Sequence, residues 1–203
     1  MPGRLFLTRS AEDIAATLKM GPVPQDPPRL NIAPGQDIIV ATSSGVGHMR
    51  WGMIPVGRKN ARGRPVMETI VNARSETVFE KSAYEGAKRA VIPADGWYEW
   101  TGEKRRKTAW QIKQKSGALL FFAAIYDVWT APNGMELPQV AAVTREPSAD
   151  VRGIHHRMGV LLHSTDLETW LTGPEDAAKA LLRPFPNGKL SVSAADHVDW
   201  TAP

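Results

Sequence analysis

The sequence predicts an α+β fold in which a mostly antiparallel, barrel-like β-sheet core carries short peripheral helices. Two observations predict this class. About seven segments have the alternating or apolar pattern and the β-branched and aromatic content of strands. They follow one another through hairpin-like turns and do not alternate with long helices, an order that favours antiparallel pairing. The chain has 203 residues, which is enough to bury one core, so we expect a single domain over residues 1–203.

The predicted strands are short, and the central ones are apolar. Residues 109–114 alternate between polar and apolar side chains, and residues 119–129 form an apolar run typical of a strand buried on both faces. Residues 37–42 and 48–55 are separated by a segment rich in serine and glycine, which predicts a hairpin. The full set of predicted strands lies at residues 5–7, 37–42, 48–55, 89–100, 109–114, 119–129 and 137–144.

The predicted helices are also short. Ser10 begins the first one, because Ser10 and Asp13 resemble a capping box and the following apolar residues have helical spacing. Pro174 stands in the first turn of the last one, where proline is tolerated. The predicted helices cover residues 10–20, 78–87, 164–171 and 174–182.

Three further segments have the composition of loops. Residues 21–28 contain four prolines and are expected to form an extended surface connection. Residues 57–64 contain four Lys or Arg without apolar periodicity. A solvated loop is the simpler interpretation of that cluster, and electrostatic binding of phosphates is the alternative. Residues 103–107 are predicted to form a charged hairpin tip.

The stretch RAVIPADGWYEW, residues 89–100, contains the most informative acid in the chain, Glu99. Trp97, Tyr98 and Trp100 surround it. If the rings enclose the carboxyl, low polarity disfavours its charged form and raises its pKa, giving an acid suited to proton transfer. The alternative is a strand that places Trp97 and Glu99 on one face and the other two aromatics on the opposite face, with Glu99 solvated.

Composition limits the possible functions. There is no cysteine, which excludes disulfides, zinc–thiolate sites and thiol nucleophiles. Lys and Arg total 25 against 21 Asp and Glu, a net charge of +4 that is compatible with a polyanionic partner. The sequence has neither the apolar core of a signal peptide nor an apolar run of membrane-spanning length. We therefore expect a soluble intracellular protein.

Two sets of polar residues are candidates for a functional site. Asn72, Arg74 and Glu76 alternate, so on an extended segment they share one face. Adjacent His155 and His156 would point to opposite faces of a strand, so they do not form a metal-binding pair. No metal ion or cofactor is expected.

Six short motifs occur in a fixed order: MPGR at 1–4, NIAPG at 31–35, RWGMIP at 50–55, VNARSE at 71–76, ADGWYEW at 94–100 and IHHRM at 154–158. Together they resemble the SOS response-associated peptidase (SRAP) family over residues 1–162, while residues 163–203 add C-terminal helices and a tail. The resemblance implies a protein of the DNA damage response that binds single-stranded DNA at abasic sites. It also implies that the protein joins its own N-terminus to the ring-opened sugar aldehyde and shields the lesion.

The resemblance also assigns site residues. The active-site positions are matched by Asn72, Glu99 and His155, with Pro2 in the place of the nucleophile. Basic positions near phosphates are matched by Arg4, Arg74 and Arg157. The pocket motifs contribute Asn31, Pro34, Trp51 and Thr144. The implied protein is a cytoplasmic monomer, away from membranes and associated with the nucleoid when it is bound to DNA.

The chain departs from the family pattern at position 2. Family members typically begin Met-Cys-Gly-Arg and use the exposed cysteine after loss of the methionine, whereas this chain has Pro2. Removal of Met1 would leave a secondary amine with a pKa of about 8, which attacks aldehydes but brings no thiol. We expect lyase-like Schiff-base chemistry with Glu99 and His155 transferring protons. Two alternatives are a member that binds DNA without covalent chemistry and a peptidase that trims only its own N-terminus.

Overall fold

The computed structural model describes residues 2–55, 57, 69–103 and 106–201. The helices are α1 Ala11–Leu18, α2 Ala149–Arg152, α3 Leu167–Thr172 and α4 Glu175–Ala180, with short 3-10 helices at Ser82–Tyr84 and Ser164–Asp166. The strands are β1 Leu5–Leu7, β2 Arg29–Ile32, β3 Asp37–Thr42, β4 Gly45–Trp51, β5 Asn72–Arg74, β6 Lys88–Ala94, β7 Gly96–Glu103, β8 Arg106–Gln114, β9 Leu120–Thr130, β10 Glu136–Arg145, β11 Met158–Gly159, β12 Leu161–Leu162 and β13 Leu190–Ala194.

Five strands close into a barrel. β10 pairs in parallel with β4, and antiparallel pairs join β4 to β3, β3 to β6, β6 to β9 and β9 back to β10. Both faces of these strands are buried, because Val40 and Val140 lie on one face, Val91 lies on the other, and none of them has exposed surface. The predicted α+β class with a mostly antiparallel, barrel-like core is confirmed.

A second, antiparallel sheet has the strand order β13-β8-β7-β1-β2. The chain enters it from the barrel at Asp95, between β6 and β7. The Asp95 carboxylate accepts hydrogen bonds from the backbone N–H and hydroxyl of Thr8 and from Nε of Arg9. The next residue is Gly96. Only glycine fits there, because a Cβ would lie 2.2 Å from the carbonyl oxygen of Ile112. This corner fixes the start of β7, the strand that carries Glu99.

The first helix forms as its sequence predicts. The Ser10 hydroxyl accepts a hydrogen bond from the Asp13 backbone N–H, which caps α1. Ile14 and Leu18 are buried on one face of the helix. None of the helices in the described residues is long and apolar enough to cross a membrane.

Some local expectations were wrong. The helix predicted over residues 78–87 is a series of turns around the 3-10 helix, because Lys81 adopts an extended conformation, φ -76° and ψ 129°, that interrupts helical structure within the segment. The hairpin of β3 and β4 forms, but β4 begins at Gly45 and its turn is tighter than predicted. The C-terminal tail contributes β13, which pairs with β8. Of the basic segment 57–64, all but Gly57 lies outside the described residues.

Candidate active site at the start of the chain

Glu99 lies on the inner face of β7, beside the first residues of the chain. Leu5 pairs with Trp97, and the Tyr98 backbone N–H donates to the carbonyl of Arg4 at 3.0 Å. Continuing this ladder brings residues 2–3 alongside Glu99. Only 3% of Glu99 is exposed, and the fully buried Trp97 lies on the same face of the strand.

The environment of Glu99 changes its acidity. Burial raises the pKa of the carboxyl, and the positive charge at the amino terminus of the chain acts in the opposite direction. A carboxyl with a raised pKa retains its proton to a higher pH than a solvated glutamic acid. It is therefore better suited to donating a proton near neutral pH.

Asn72 and Pro2 are joined directly. The Asn72 side-chain amide donates from Nδ2 to the Pro2 carbonyl oxygen at 2.9 Å, and Pro2 is buried. A Cβ on Gly159 would lie 3.5 Å from Cγ of Pro2 and 2.3 Å from the ring of Phe122. Phe122 in turn meets Trp97 edge to face, with 5.6 Å between ring centroids. These contacts connect the start of the chain to the inner face of β7.

His155 lies in the turn between α2 and β11. Its Nδ1 is 2.9 Å from the backbone N of Arg157 and 3.0 Å from the carbonyl oxygen of the same residue. Burial lowers the pKa of the imidazole, and the charge of the amino terminus lowers it further. The neutral ring that results near neutral pH can accept a proton.

The expectation that His155 and His156 point to opposite faces was wrong. Their rings are stacked, with centroids 4.4 Å apart and planes 22° apart. The alternation rule does not apply, because both residues belong to the loop between α2 and β11 and not to a strand. Among the described residues, no group of three or more His, Cys, Asp and Glu has the arrangement of a metal site.

The three predicted basic residues have different environments. Arg74 is exposed at the end of β5, and Arg4 is half-buried near the start of β1. Arg157 is buried, and its guanidinium donates to both carboxylate oxygens of Glu76 and to the carbonyl of Thr144. The structure therefore leaves Arg74 the most accessible to a phosphate and gives Arg157 protein partners.

The predicted pocket residues differ in exposure: two are fully buried, and two retain some exposed surface. Trp51 and Thr144 are fully buried; the Trp51 indole donates to the carbonyl of Val71, and the Thr144 hydroxyl donates to that of Ala73. With no exposed surface, they can support the pocket wall but cannot contact DNA in this conformation. Pro34 is half-buried. The amide of Asn31, which is 5% exposed, donates to the carbonyl of Trp200 at 3.1 Å.

Three structural partners of these residues were missed by sequence reasoning. Gly159 lies beside the ring of Pro2, Phe122 packs against Gly159, and Glu76 neutralises Arg157. The sequence does indicate the pair of Glu76 and Arg157, since the VNARSE motif contains the acid and the IHHRM motif contains the arginine. Nothing in the local patterns indicates that Gly159 contacts the start of the chain.

The chain matches known proteins along nearly its whole length. The family model described as SOS response associated peptidase (SRAP) matches residues 1–198. Over 200 residues the chain is 34% identical to the abasic site processing protein YoaM of Bacillus subtilis (strain 168), covering 91% of this chain and 86% of YoaM. It is 32% identical over 166 residues to the abasic site processing protein HMCES of Gallus gallus, covering 68% of this chain and 49% of HMCES. A crystal structure of a protein from Bacteroides thetaiotaomicron has the same fold, with a TM-score of 0.80 at 23% identity over 96% of this chain and 92% of that one.

Proposed function

The chain belongs to the SOS response associated peptidase family, and on that premise we propose that it processes abasic sites in DNA. More specifically, it binds single-stranded DNA at the abasic site and reacts with the lesion, or shields it, through its N-terminal amine. The observation that carries the proposal is the position of Pro2. It is buried, its carbonyl accepts a hydrogen bond from Asn72, and it lies next to the strand of Glu99.

The reaction uses the form of the protein that begins at Pro2. Its secondary amine attacks the aldehyde carbon of the opened sugar, a C–N bond forms, and the carbonyl oxygen takes up a proton to give a carbinolamine. Protonation of that hydroxyl releases water and leaves an iminium ion. Because there is no cysteine, no thiol can add to the iminium and close a stable ring. The iminium is then hydrolysed by water, or it loses a proton from the sugar and the strand is cleaved by elimination.

Two side chains have suitable acidities for the proton transfers. Glu99, whose pKa burial raises, donates the proton that lets water leave. His155, whose pKa burial lowers, is the neutral base that accepts the proton released by the amine or the sugar. Asn72 orients the Pro2 peptide by holding its carbonyl.

DNA binding is assigned to the exposed basic side chains near this site. The position of Arg74 at the end of β5, two residues after Asn72, supports a role in neutralising a backbone phosphate while the lesion faces Pro2. Such contacts make affinity depend on salt, because each neutralised phosphate releases counterions. Changing Arg74 to Ala should weaken binding and reduce the salt slope by about 1. Lys113→Ala, an exposed cation on β8, is the matched control and should leave the slope unchanged.

The proposal is tested by trapping the iminium. Protein whose mass confirms Pro2 as its first residue is mixed with an abasic-site oligonucleotide, with and without borohydride. We expect an adduct only after reduction, and slower trapping by Glu99→Gln than by wild-type protein. Glu103→Gln, an exposed acid at the far end of the same strand, should react like wild type. A durable adduct without reduction would contradict the argument from the missing thiol.

The second candidate is DNA binding without covalent chemistry. The observation that favours it is the departure at position 2, where proline replaces the family's cysteine. This candidate predicts lesion-selective binding that depends on Arg74, together with no trapped adduct even from protein with a confirmed free Pro2.

A further inference from the structure

Gly159 lies beside the ring of Pro2 in the buried wall of the site. A Cβ at Gly159 would stand 3.5 Å from Cγ of Pro2 and 2.3 Å from the ring of Phe122. Pro2 and Gly159 are buried, and Phe122 is 1% exposed. The first distance is ordinary van der Waals contact and the second is an overlap. The absence of a side chain at Gly159 therefore lets both rings approach the same point.

Space, and not backbone conformation, explains a glycine at this position. The described glycines with positive φ, the region that favours glycine, do not include Gly159. A residue with a side chain could therefore adopt this backbone, but its Cβ would not fit. The glycine is required by what surrounds it.

The backbone of this segment is held from both sides. Val160, the next residue, donates its N–H to the carbonyl of Val143 at 2.8 Å, and its own carbonyl accepts from the N–H of Ala123 at 2.9 Å. These two bonds tie the segment to β10 and to β9. Because the backbone cannot move away without breaking them, a side chain at position 159 would displace one of the two rings.

The contact matters because the nucleophilic nitrogen of a proline belongs to its ring. Asn72 holds the Pro2 carbonyl by donating from Nδ2 at 2.9 Å, but that bond alone leaves rotation about the Cα–C bond. Contact at Cγ restrains this rotation, because it fixes a second point of the same five-membered ring. Loss of Met1 changes the substituent on the nitrogen and leaves the ring carbons as they are. The nitrogen is then held in one place, as attack on an aldehyde requires.

From these contacts we infer that Gly159 is a positioning residue for an N-terminal proline: its missing side chain makes a socket for the Pro2 ring, and the socket fixes the ring nitrogen that attacks the aldehyde. The socket is the space beside Gly159, which is backed by Phe122. This inference rests on the proposed function for its consequence in the reaction. The fit of the ring is a property of the DNA-free protein and can be tested without DNA.

The first test is NMR of DNA-free protein that is labelled with carbon-13 proline and glycine and whose mass confirms Pro2 as its first residue. Nuclear Overhauser effects are expected between the Pro2 ring protons and the α-protons of Gly159, because the two groups are in contact range. Gly153, an exposed glycine at the end of α2 with nothing within 4 Å of its Cβ position, should show none. Their absence for Gly159 would overturn the inference.

The second test introduces Gly159→Ala with Pro2 in place and in the Pro2→Ala background. An N-terminal alanine keeps an amine but leaves the socket empty, so the ring of Phe122 can move into that space. We expect Gly159→Ala to slow borohydride trapping about tenfold with Pro2 and at most about twofold in the Pro2→Ala background. Affinity for abasic-site DNA should stay within about twofold throughout, because only the rate depends on the nitrogen. Gly153→Ala is the matched control and should match its parent protein in both backgrounds.

Pro2→Ala alone provides a second variant if Gly159→Ala folds poorly. Without the ring, the bond from Asn72 no longer fixes the nitrogen, and trapping should fall by about tenfold beyond the intrinsic difference between the two amines. The tripeptide Pro-Gly-Arg, which has the sequence of residues 2–4, and Ala-Gly-Arg measure that intrinsic difference when they are trapped with the same aldehyde. A ratio of protein rates equal to the ratio of tripeptide rates would contradict the socket.

The outcomes distinguish the inference from the function on which it rests. Equal slowing by Gly159→Ala in both backgrounds would mean that the glycine serves only packing against Phe122, and would overturn the inference. If wild-type protein neither binds nor reacts with abasic DNA, the proposed function fails, while the Overhauser effects and the urea midpoints of the same proteins still decide the fit. Gly159→Ala should lower the urea midpoint more with Pro2 in place than in the Pro2→Ala background.

Discussion

The two faces of β7 place neighbouring residues in different environments. On the inner face, Trp97 and Glu99 are buried, and Trp97 packs against Phe122 of the barrel. On the outer face, Tyr98 and Trp100 contact the ring of Trp200, with centroid distances of 5.0 and 5.2 Å. One face encloses an ionisable group, and the other is an aromatic cluster.

The difference explains how an acid is tolerated in a buried position. Enclosing a carboxyl away from water costs free energy and raises its pKa. The outer face offers a compensating contribution, since Phe6, Tyr98, Ala195 and Val198 are buried together there. A strand anchored on its outer face can hold a group that is costly to bury in a fixed place on its inner face.

The largest effect is expected from removing the inner ring. Trp97→Ala should lower the free energy of unfolding by about 3–5 kcal/mol, because it leaves a cavity against Phe122 that the surrounding sheets cannot fill. Urea unfolding followed by circular dichroism measures this change. The half-buried Trp100 is the comparison on the same strand, and its change to Ala should cost distinctly less. Equal losses would mean that the two faces do not differ in packing.

A smaller effect is expected from the outer face. Trp200→Ala removes both ring contacts of the tail and should lower the free energy of unfolding by about 1–2 kcal/mol. Because Glu99 points to the other side of the strand, the rate of borohydride trapping should change little. Trp129→Ala, a half-buried indole on β9 outside this cluster, controls for the loss of any tryptophan. A trapping rate as low as that of Glu99→Gln would show that the faces are coupled.

One sequence interpretation predicted the alternation of β7, and the other predicted a buried Glu99 with a raised pKa; the structure confirms both features. The pattern places Trp97 and Glu99 on one face, as one of the two sequence interpretations had it. That interpretation also left Glu99 solvated, which was wrong. The inner face of β7 is covered by groups distant in sequence, among them Phe122, which packs on Trp97, and the start of the chain, which pairs with β7. Period-2 patterning reports which face a residue occupies but not what covers that face.

The same limit applies to the other local expectations. Ser10 predicted its helix correctly, because a capping box is a contact between near neighbours. Glu76 and Arg157 are 81 positions apart, and Trp200 meets Tyr98 only because β13 pairs with β8. Such contacts depend on the topology of both sheets. The site residues could be proposed from family motifs, and their division into accessible and buried groups required the fold.

The smallest effect concerns pH, and it contrasts two acids with opposite shifts. The pKa of Glu99 is raised by burial from 4.5, so the folded state binds its proton more tightly than the unfolded chain does. Its contribution to stability is therefore fully present below the unfolded pKa and declines as pH rises toward the folded value. Glu99→Gln should remove this decline, and the variant should become more stable relative to wild type as pH rises above about 4.5.

Glu76 should behave in the opposite way, because its pKa is lowered from 4.5 to about 2. Its contribution is present above the unfolded pKa and is lost as pH falls from about 4.5 toward 2. Urea midpoints measured across this range for wild type, Glu99→Gln and Glu76→Gln would separate the two slopes. If Glu99→Gln and wild type changed in parallel with pH, the Glu99 carboxyl would be hydrated in solution. Its assignment as the proton donor would then lose its physical basis, because a solvated acid is ionised near pH 7 and has little proton to give.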